Sequence, residues 1–134
     1  MNVGSVEDRL AIRELVDAFA VRVTAHDADF WSEVWAPQGT WILPSEPQGV
    51  HGKEKIRDDF KIKMAPVENI HMTCTPSELN IQGDRGTGKT FCRETIYLSG
   101  GVKKVLIACF HDEYIKIDGQ WLFLTRDYKV FGVY

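Results

Sequence analysis

The chain has few cysteines, no long apolar run and no block of basic residues, and each absence argues against a class of protein. Three cysteines among 134 residues, without CxxC spacing, argue against a disulfide framework or a zinc site. No apolar run approaches the length of about 18 residues typical of a membrane span. A net charge of −3 without a basic cluster argues against nucleic acid and membranes as partners.

The N-terminal segment also lacks the features of a secretory signal. It has neither a basic start nor an apolar stretch, so we expect a cytoplasmic protein. What remains is an ordinary globular composition, 44% hydrophobic and 26% charged. The length suits one domain over residues 1–134 with a sizeable core, in which Cys74, Cys92 and Cys109 are expected to be small core residues.

Helical periodicity dominates the first half of the chain. Apolar residues recur at helical spacing from about residue 5 to 25, and Ser5 is placed to cap this helix. A second, short helix is predicted to begin at His26-Asp27 and to end before Pro37 and Gly39. A strand over 40–43, an extended piece over 49–52 and a third helix over about 53–64 follow.

From Val67 onward the pattern changes to the alternation typical of strands. Strands are predicted over roughly 67–82, 86–98, 102–117 and 120–131, joined by glycine-rich turns. Pro76-Ser77 is expected to mark a bulge, because proline cannot donate to a strand ladder. This order predicts an α+β fold in which three N-terminal helices pack on one face of a strongly curved antiparallel sheet.

Residues 83–90 match the phosphate-binding pattern GxxxxGK[ST], but their context argues against a nucleotide site. Such a loop must leave a strand and open a helix, whose N-terminus holds the phosphates. Here Lys89 and Thr90 are followed by a β-prone run that ends in Ser-Gly-Gly. We therefore interpret the three glycines of this segment as turn and bulge residues.

Two residues on the first long strands are candidates for acid/base chemistry. His71 lies in an apolar, β-branched run, and Glu94 is expected at the matching depth of the next strand, on a mostly apolar face. Imidazole has a reference pKa of about 6.5 and can exchange a proton at neutral pH. The alternatives are a structural histidine and a glutamate that a bulge turns to solvent.

Five segments, at 11–15, 30–37, 49–52, 70–72 and 114–121, carry a resemblance to a known family. The last combines an aromatic strand end, an Asp-Gly turn and a tryptophan that opens the final strand. Together they resemble the SnoaL-like branch of the nuclear transport factor 2-like superfamily, which includes scytalone dehydratase, bile-acid dehydratase and hexachlorocyclohexane dehydrochlorinase. The resemblance covers about residues 5–130 and implies a cone-shaped α+β barrel around an apolar pocket.

The resemblance also implies a function: a lyase or isomerase, without metal or organic cofactor, that acts on an apolar, ring-containing small molecule. His71 falls on the family's catalytic histidine and Glu94 on a carboxylate of the bile-acid dehydratase pattern. The family's helix aspartate, however, corresponds to Thr24, and a tyrosine of some dehydratases to Phe19. These departures leave open a non-catalytic small-molecule-binding or scaffolding domain, or a subunit of a larger enzyme.

A pocket of this kind would be lined by hydroxyl, thiol and aromatic side chains, here Thr24, Phe19, Trp35, Trp41, Cys92, Phe110 and Trp121. For the three tryptophans and Phe110, a plain core position is the alternative. His111 has no family counterpart and is expected at the surface or an interface. Four scattered histidines without ligand spacing do not predict a metal site. An outer sheet face that carries Phe91 and Tyr97 predicts a homodimer or homotrimer.

Overall fold

Three helices and a six-stranded sheet make up the fold in a computed structural model that describes residues 1–134. The helices are α1 (Val6–Thr24), α2 (Ala28–Ser32) and α3 (Lys53–Met64). The strands are β1 (Trp35–Leu43), β2 (Glu46–His51), β3 (Val67–Gln82), β4 (Arg85–Leu98), β5 (Val102–Ile117) and β6 (Gln120–Val133). None of the three helices combines the length and apolarity needed to cross a membrane.

The first two helices begin where the sequence supplies capping side chains. Ser5 accepts a hydrogen bond from the Asp8 backbone N–H at 3.1 Å, and Asp27 accepts one from that of Phe30 at 3.1 Å. The predicted spans of α1 and α3 are confirmed to within a residue. One face of α1 is buried and carries Ile12, Leu15, Val16, Phe19, Ala20 and Val23.

The region after α2 differs from the prediction. The helix ends at Ser32, and β1 begins at Trp35 rather than at residue 40, so Pro37 and Gly39 lie inside a strand. The pairing of β1 with β6 is irregular between Trp35 and Thr40, and proline is tolerated at such an interruption because no ladder hydrogen bond is lost there.

The sheet has the order β2-β1-β6-β5-β4-β3. Strands β3 to β6 form the predicted antiparallel meander, with ends within two residues of those predicted. Strand β1, however, pairs in parallel with β6, so the sheet is mixed rather than antiparallel throughout. A parallel pair requires a long crossover connection, which α3 and the meander provide here.

The irregularity expected in β3 lies just beyond the predicted position. The pairing with β4 shifts between Ser77 and Asn80, where Glu78 has a φ of 55°. Pro76 itself remains paired with Thr90. The bulge in β3 therefore lies after Pro76 rather than at it.

Residues 83–90 form a hairpin turn and the start of β4, as the sequence context predicts, and no helix follows Lys89. Gly88 is required by packing. A Cβ atom there would lie 2.8 Å from Leu79 Cδ2 and 3.1 Å from the Tyr114 hydroxyl oxygen. The glycines of this segment thus serve a turn and a close approach between strands.

The helices and the inner face of the sheet share one hydrophobic core. Its centre is aromatic: Phe19 of α1 lies 5.4 Å from Trp31 and 5.6 Å from Phe110, measured between ring centres. Trp31 also stacks on Phe60 at 4.0 Å with an interplanar angle of 12°, which joins α2 to α3. This aromatic layer forms one wall of the cavity described next.

Candidate active site

An apolar cavity of about 560 Å³ lies between the helices and the inner face of the sheet. All three helices, the end of β1 and strands β3 to β6 contribute to its wall, in which 15 of 20 residues are hydrophobic. This volume is within the range of small-molecule sites, about 300–1,000 Å³. The charged residues of the wall are Lys63, Glu94 and Lys104.

Glu94 and Tyr128 form the polar centre of the wall. The Tyr128 hydroxyl donates a hydrogen bond to Glu94 Oε1 at 2.6 Å, and Glu94 is only 8% exposed. Burial raises the pKa of the Glu94 carboxyl, while the Tyr128 hydrogen bond and the Arg126 charge oppose that rise only in part. Burial and the Glu94 charge raise the pKa of Tyr128, so the tyrosine remains the donor.

Tyr128 reaches the cavity because β6 contains a bulge. Its pairing with β5 shifts by one residue between Phe123 and Thr125. An inserted residue reverses the alternation of a strand, whereas unbroken alternation from Trp121 would place Tyr128 on the outer face. Sequence reasoning therefore did not identify Tyr128, and the only local signal is a charged residue, Arg126, between aromatic ones.

A second buried polar cluster surrounds Asp112 but does not contribute to the cavity wall. Arg126 donates to both carboxylate oxygens, from Nε at 2.8 Å and from Nη2 at 3.1 Å. The hydroxyls of Thr90 and Tyr114 donate to Oδ2 at 2.7 Å and 3.1 Å. The Arg126 guanidinium also lies 3.7 Å from the ring centre of Phe110, a cation–π contact.

His71 does not reach the cavity. In the ladder of β3 and β4 it pairs with Thr95, whereas Glu94 pairs with Met72. Paired residues share a face and neighbours along a strand alternate, so His71 and Glu94 lie on opposite faces. His71 is exposed beside Thr24 at the end of α1. The expectation that His71 faces Glu94 is therefore wrong by one residue of register, and of the two orientations left open for Glu94 the structure has the one that faces the cavity.

Three of the seven side chains expected to line the pocket do so, namely Phe19, Trp41 and Phe110. Trp35 and Cys92 are buried but lie behind the wall. The sequence predicts Trp35 within the second helix, whereas it lies in β1, where its side chain is buried in the core. Whether the lining residues bind a substrate stays a prediction.

Thr24 and Trp121 also lie outside the cavity wall. The Thr24 hydroxyl donates to the Ile70 carbonyl at 3.1 Å and so ties the end of α1 to β3. The Trp121 indole N–H donates to Asp8 of α1 at 2.9 Å, at the other end of that helix. Both polar groups are occupied by contacts that hold α1 on the sheet.

The wall contains aromatic residues that the sequence analysis did not assign to it. Trp31 of α2 and Phe60 of α3 join Trp41 at the cavity. The indole nitrogens of Trp31 and Trp41 are buried and have no hydrogen-bond partner in the chain.

The outer face of the sheet carries exposed apolar side chains, as predicted. Phe91 and Tyr97 are 45% and 43% exposed, and Phe131 lies near Phe91 with ring centres 6.5 Å apart. His111 is exposed on this face opposite Asp127, which confirms its surface position. Nowhere in the chain do three or more histidine, cysteine, aspartate or glutamate side chains gather as ligands for a metal ion.

Comparison with known proteins identifies the family. A family model described as a SnoaL-like domain matches residues 4–127. The chain belongs to the SnoaL-like family. The predicted resemblance and the α+β fold are thereby confirmed, and structural neighbours lie in the nuclear transport factor 2-like superfamily.

Solved structures of the same fold include proteins named as enzymes. A type 2 hexachlorocyclohexane dehydrochlorinase, LinA, matches with a TM-score of 0.86 and 19% identity over 96% of this chain and 88% of that chain. A candidate scytalone dehydratase from Novosphingobium aromaticivorans matches with a TM-score of 0.83 and 12% identity over 96% of this chain and 87% of that chain. A nuclear transport factor 2-like protein from Salmonella enterica serovar Typhimurium matches with a TM-score of 0.80 and 13% identity over 89% of this chain and 87% of that chain. At these identities the likeness shows the fold alone.

Proposed function

We propose that this SnoaL-like chain is a cofactor-independent lyase or isomerase that moves a proton on an apolar, ring-containing small molecule. The observation that carries the proposal is the Glu94 carboxyl, buried in an apolar cavity wall beside one neutral donor, Tyr128. Structural neighbours named as a dehydrochlorinase and a candidate dehydratase support it, because both names denote elimination reactions.

Glu94 is the acid/base group in this proposal. Its ionised form removes a proton from a carbon next to a carbonyl, a ring or a leaving group, and the electrons of that C–H bond form the new double bond. The neutral form then returns the proton to the leaving group or to another carbon. A raised pKa makes the carboxylate a stronger base than a surface glutamate and brings both forms closer to neutral pH.

Tyr128 is the positioning residue of this pair. Its hydroxyl fixes one carboxylate oxygen at 2.6 Å and leaves the other free to face the bound molecule. The proposal omits His71, because its exposed side chain lies on the opposite face of β3. It also requires no helix carboxylate, since Thr24 is engaged with the Ile70 carbonyl.

The chemistry of the wall favours a flat, apolar ligand. Phe19, Trp31, Trp41, Phe60 and Phe110 give the cavity aromatic surfaces on which a ring can pack.

The test compares wild type with Glu94→Gln and, as a matched control on the neighbouring strand, His71→Ala. All three are screened by thermal shift against apolar ring compounds, and hits are incubated and analysed by mass spectrometry. We expect wild type and His71→Ala to convert a hit, and Glu94→Gln to bind it with a rate lowered by about 10²–10⁴-fold. Conversion by Glu94→Gln at the wild-type rate would contradict the proposal.

A second function, a non-catalytic small-molecule-binding domain, is favoured by one observation. Thr24 and Phe19 stand where the resembling enzymes have an aspartate and a tyrosine, so the usual acid/base set is incomplete. A hit that stabilises wild type and Glu94→Gln equally, and is recovered chemically unchanged from both, would favour this function over catalysis.

We also infer that the chain forms a homodimer or homotrimer through its outer sheet face. The support is the exposure of Phe91, Ile107 and Phe131 on one side of the sheet. Sedimentation velocity should show a species larger than a monomer for wild type and a smaller species for Phe131→Ser. A monomeric wild type at micromolar concentration would contradict the inference.

A further inference from the structure

Cys74 and Cys92 lie directly opposite each other on β3 and β4. They are paired residues of the antiparallel ladder, so their side chains leave the sheet on the same face. Cys92 is buried and Cys74 half-buried, and both thiols are free. Neither cysteine belongs to the acid/base pair of the proposed function.

The spacing of paired residues places these cysteines close to the separation that a disulfide bond requires. Opposite residues of antiparallel strands have Cα atoms about 4.5–5.5 Å apart, within the range of about 4.4–6.8 Å seen in disulfides. Their Cβ atoms are about 4.5–5.5 Å apart, at or above the upper end of the disulfide range of about 3.5–4.5 Å. A bond between them therefore needs a small approach of the strands, and its strain favours ready reduction.

The two thiols have different reactivities. The neighbouring Cys92 thiol lowers the pKa of the Cys74 thiol, whereas the Cys74 thiol and burial raise the pKa of Cys92. Cys74 is also the more exposed of the two. Because the thiolate is the attacking species, Cys74 is suited to react first with an external oxidant and Cys92 to resolve the product.

We propose that Cys74 and Cys92 form a reversible cross-strand disulfide beside the candidate active site, with a small disulfide such as oxidised glutathione as the oxidant. The Cys74 thiolate attacks one sulfur of oxidised glutathione, and one glutathione thiolate leaves. Cys92 then loses its proton and attacks Cys74 Sγ, which releases the second glutathione. Two protein thiols are oxidised, and one glutathione disulfide is reduced to two thiols.

The position of this pair connects it to the cavity. The next residue pair of the same face, two positions along the ladder, is Met72 and Glu94, and both line the cavity. Disulfide formation draws β3 toward β4 beside this residue pair, so the oxidised chain presents an altered Glu94.

The test counts thiols in the full chain. Reduced protein is incubated with oxidised glutathione, denatured in N-ethylmaleimide and weighed by intact mass spectrometry, with circular dichroism taken before denaturation to show that it is folded. We expect three alkylated thiols before oxidation and one afterwards, a linked peptide that joins Cys74 to Cys92, and recovery of three thiols with excess reduced glutathione. Three alkylated thiols in the folded, oxidant-treated chain would overturn the proposal.

Matched single variants separate this pair from non-specific oxidation. Cys109→Ser should form the disulfide as wild type does, because Cys109 is buried away from the pair. Cys92→Ser should stop at a glutathione adduct on Cys74, and Cys74→Ser should form that adduct at least about tenfold more slowly. A linked peptide that contains Cys109, or faster reaction of Cys74→Ser than of Cys92→Ser, would also overturn it.

Discussion

Two buried carboxylates on neighbouring strands, Glu94 of β4 and Asp112 of β5, have opposite environments. Asp112 accepts four hydrogen bonds, two of them from the Arg126 guanidinium. Glu94 accepts one, from the neutral hydroxyl of Tyr128, and faces a cavity. Both side chains are less than one-tenth exposed. The difference between them lies in their partners rather than in their depth.

This comparison shows how the partner of a buried carboxylate decides its use. A carboxylate that is paired with a bidentate arginine and saturated with donors has a structural role, and Asp112 thereby links strands β4, β5 and β6. A carboxylate with one neutral donor carries an uncompensated desolvation cost, which raises the pKa of Glu94. Such a group can change its charge near a bound molecule, as proton transfer requires.

The largest expected effect comes from breaking the buried ion pair of Asp112 and Arg126. Asp112→Ala leaves the Arg126 guanidinium buried without a counter-charge and should lower the free energy of unfolding by about 3–5 kcal/mol in urea titrations. The double variant Asp112→Leu, Arg126→Met should recover most of this loss, because no charge remains buried. If Asp112→Ala lowers the free energy of unfolding by less than about 1 kcal/mol, the Asp112–Arg126 pair does not stabilise the fold.

The next effect concerns the pH dependence of stability. Because burial raises the pKa of Glu94 in the folded state, the unfolded chain ionises first as pH rises. The raised pKa of Glu94 stabilises the folded state at pH values below the pKa of this carboxyl in the unfolded chain. This stabilisation is lost as the pH rises toward the pKa in the folded chain, by about 1.4 kcal/mol for each pH unit between the two pKa values. Glu94→Gln should therefore exceed wild type in melting temperature at pH 8 and lose that advantage near pH 4. Parallel curves for the two proteins would contradict this.

A smaller effect is expected from removing the donor alone. The Tyr128 hydrogen bond lowers the pKa of Glu94, so Tyr128→Phe should raise that pKa further. Infrared titration of the carboxyl band, with Glu94→Gln as the blank, measures the shift. A shift toward acid pH would mean that Tyr128 does not stabilise the carboxylate.

The smallest effect is expected at the residue that the sequence placed opposite Glu94. His71 is exposed, and His71→Ala should change the free energy of unfolding by no more than about 0.5 kcal/mol. It should also leave the pH dependence of the Glu94 carboxyl unchanged, which the same infrared titration tests. A shifted carboxyl band in this variant would show that His71 reaches Glu94 after all.

Local patterns predicted most of the fold because they report local physics. Helical spacing and a capping serine suffice for α1, and alternation with glycine turns suffices for the ends of β3 to β6. Alternation placed Glu94 on a mostly apolar face but left open a bulge that would turn it to solvent, and the regular β4–β5 ladder keeps it at the cavity. Pro37 and Gly39 misled the prediction, since their usual role as helix stops is overridden by an interruption in the β1 ladder.

The parts that sequence could not predict depend on register between strands. Both faces of the β3 run carry apolar or β-branched residues, so nothing local decides whether His71 or Met72 faces Glu94. The bulge in β6 that turns Tyr128 inward has no glycine or proline to mark it. The register of β3 turns His71 away from Glu94, and a bulge of one residue in β6 turns Tyr128 toward it.

The parallel pairing of β1 with β6 has a consequence for how the chain folds. Trp35 is paired with Phe123, and the Phe123 backbone N–H donates to the Val34 carbonyl at 2.9 Å, so early and late segments of the chain must meet. Contacts between such distant segments form slowly, and during synthesis β1 emerges well before its partner strand exists. Trp35 lacks its packing partner Phe123 until then, and the cavity is complete only when the last strand has brought in Tyr128.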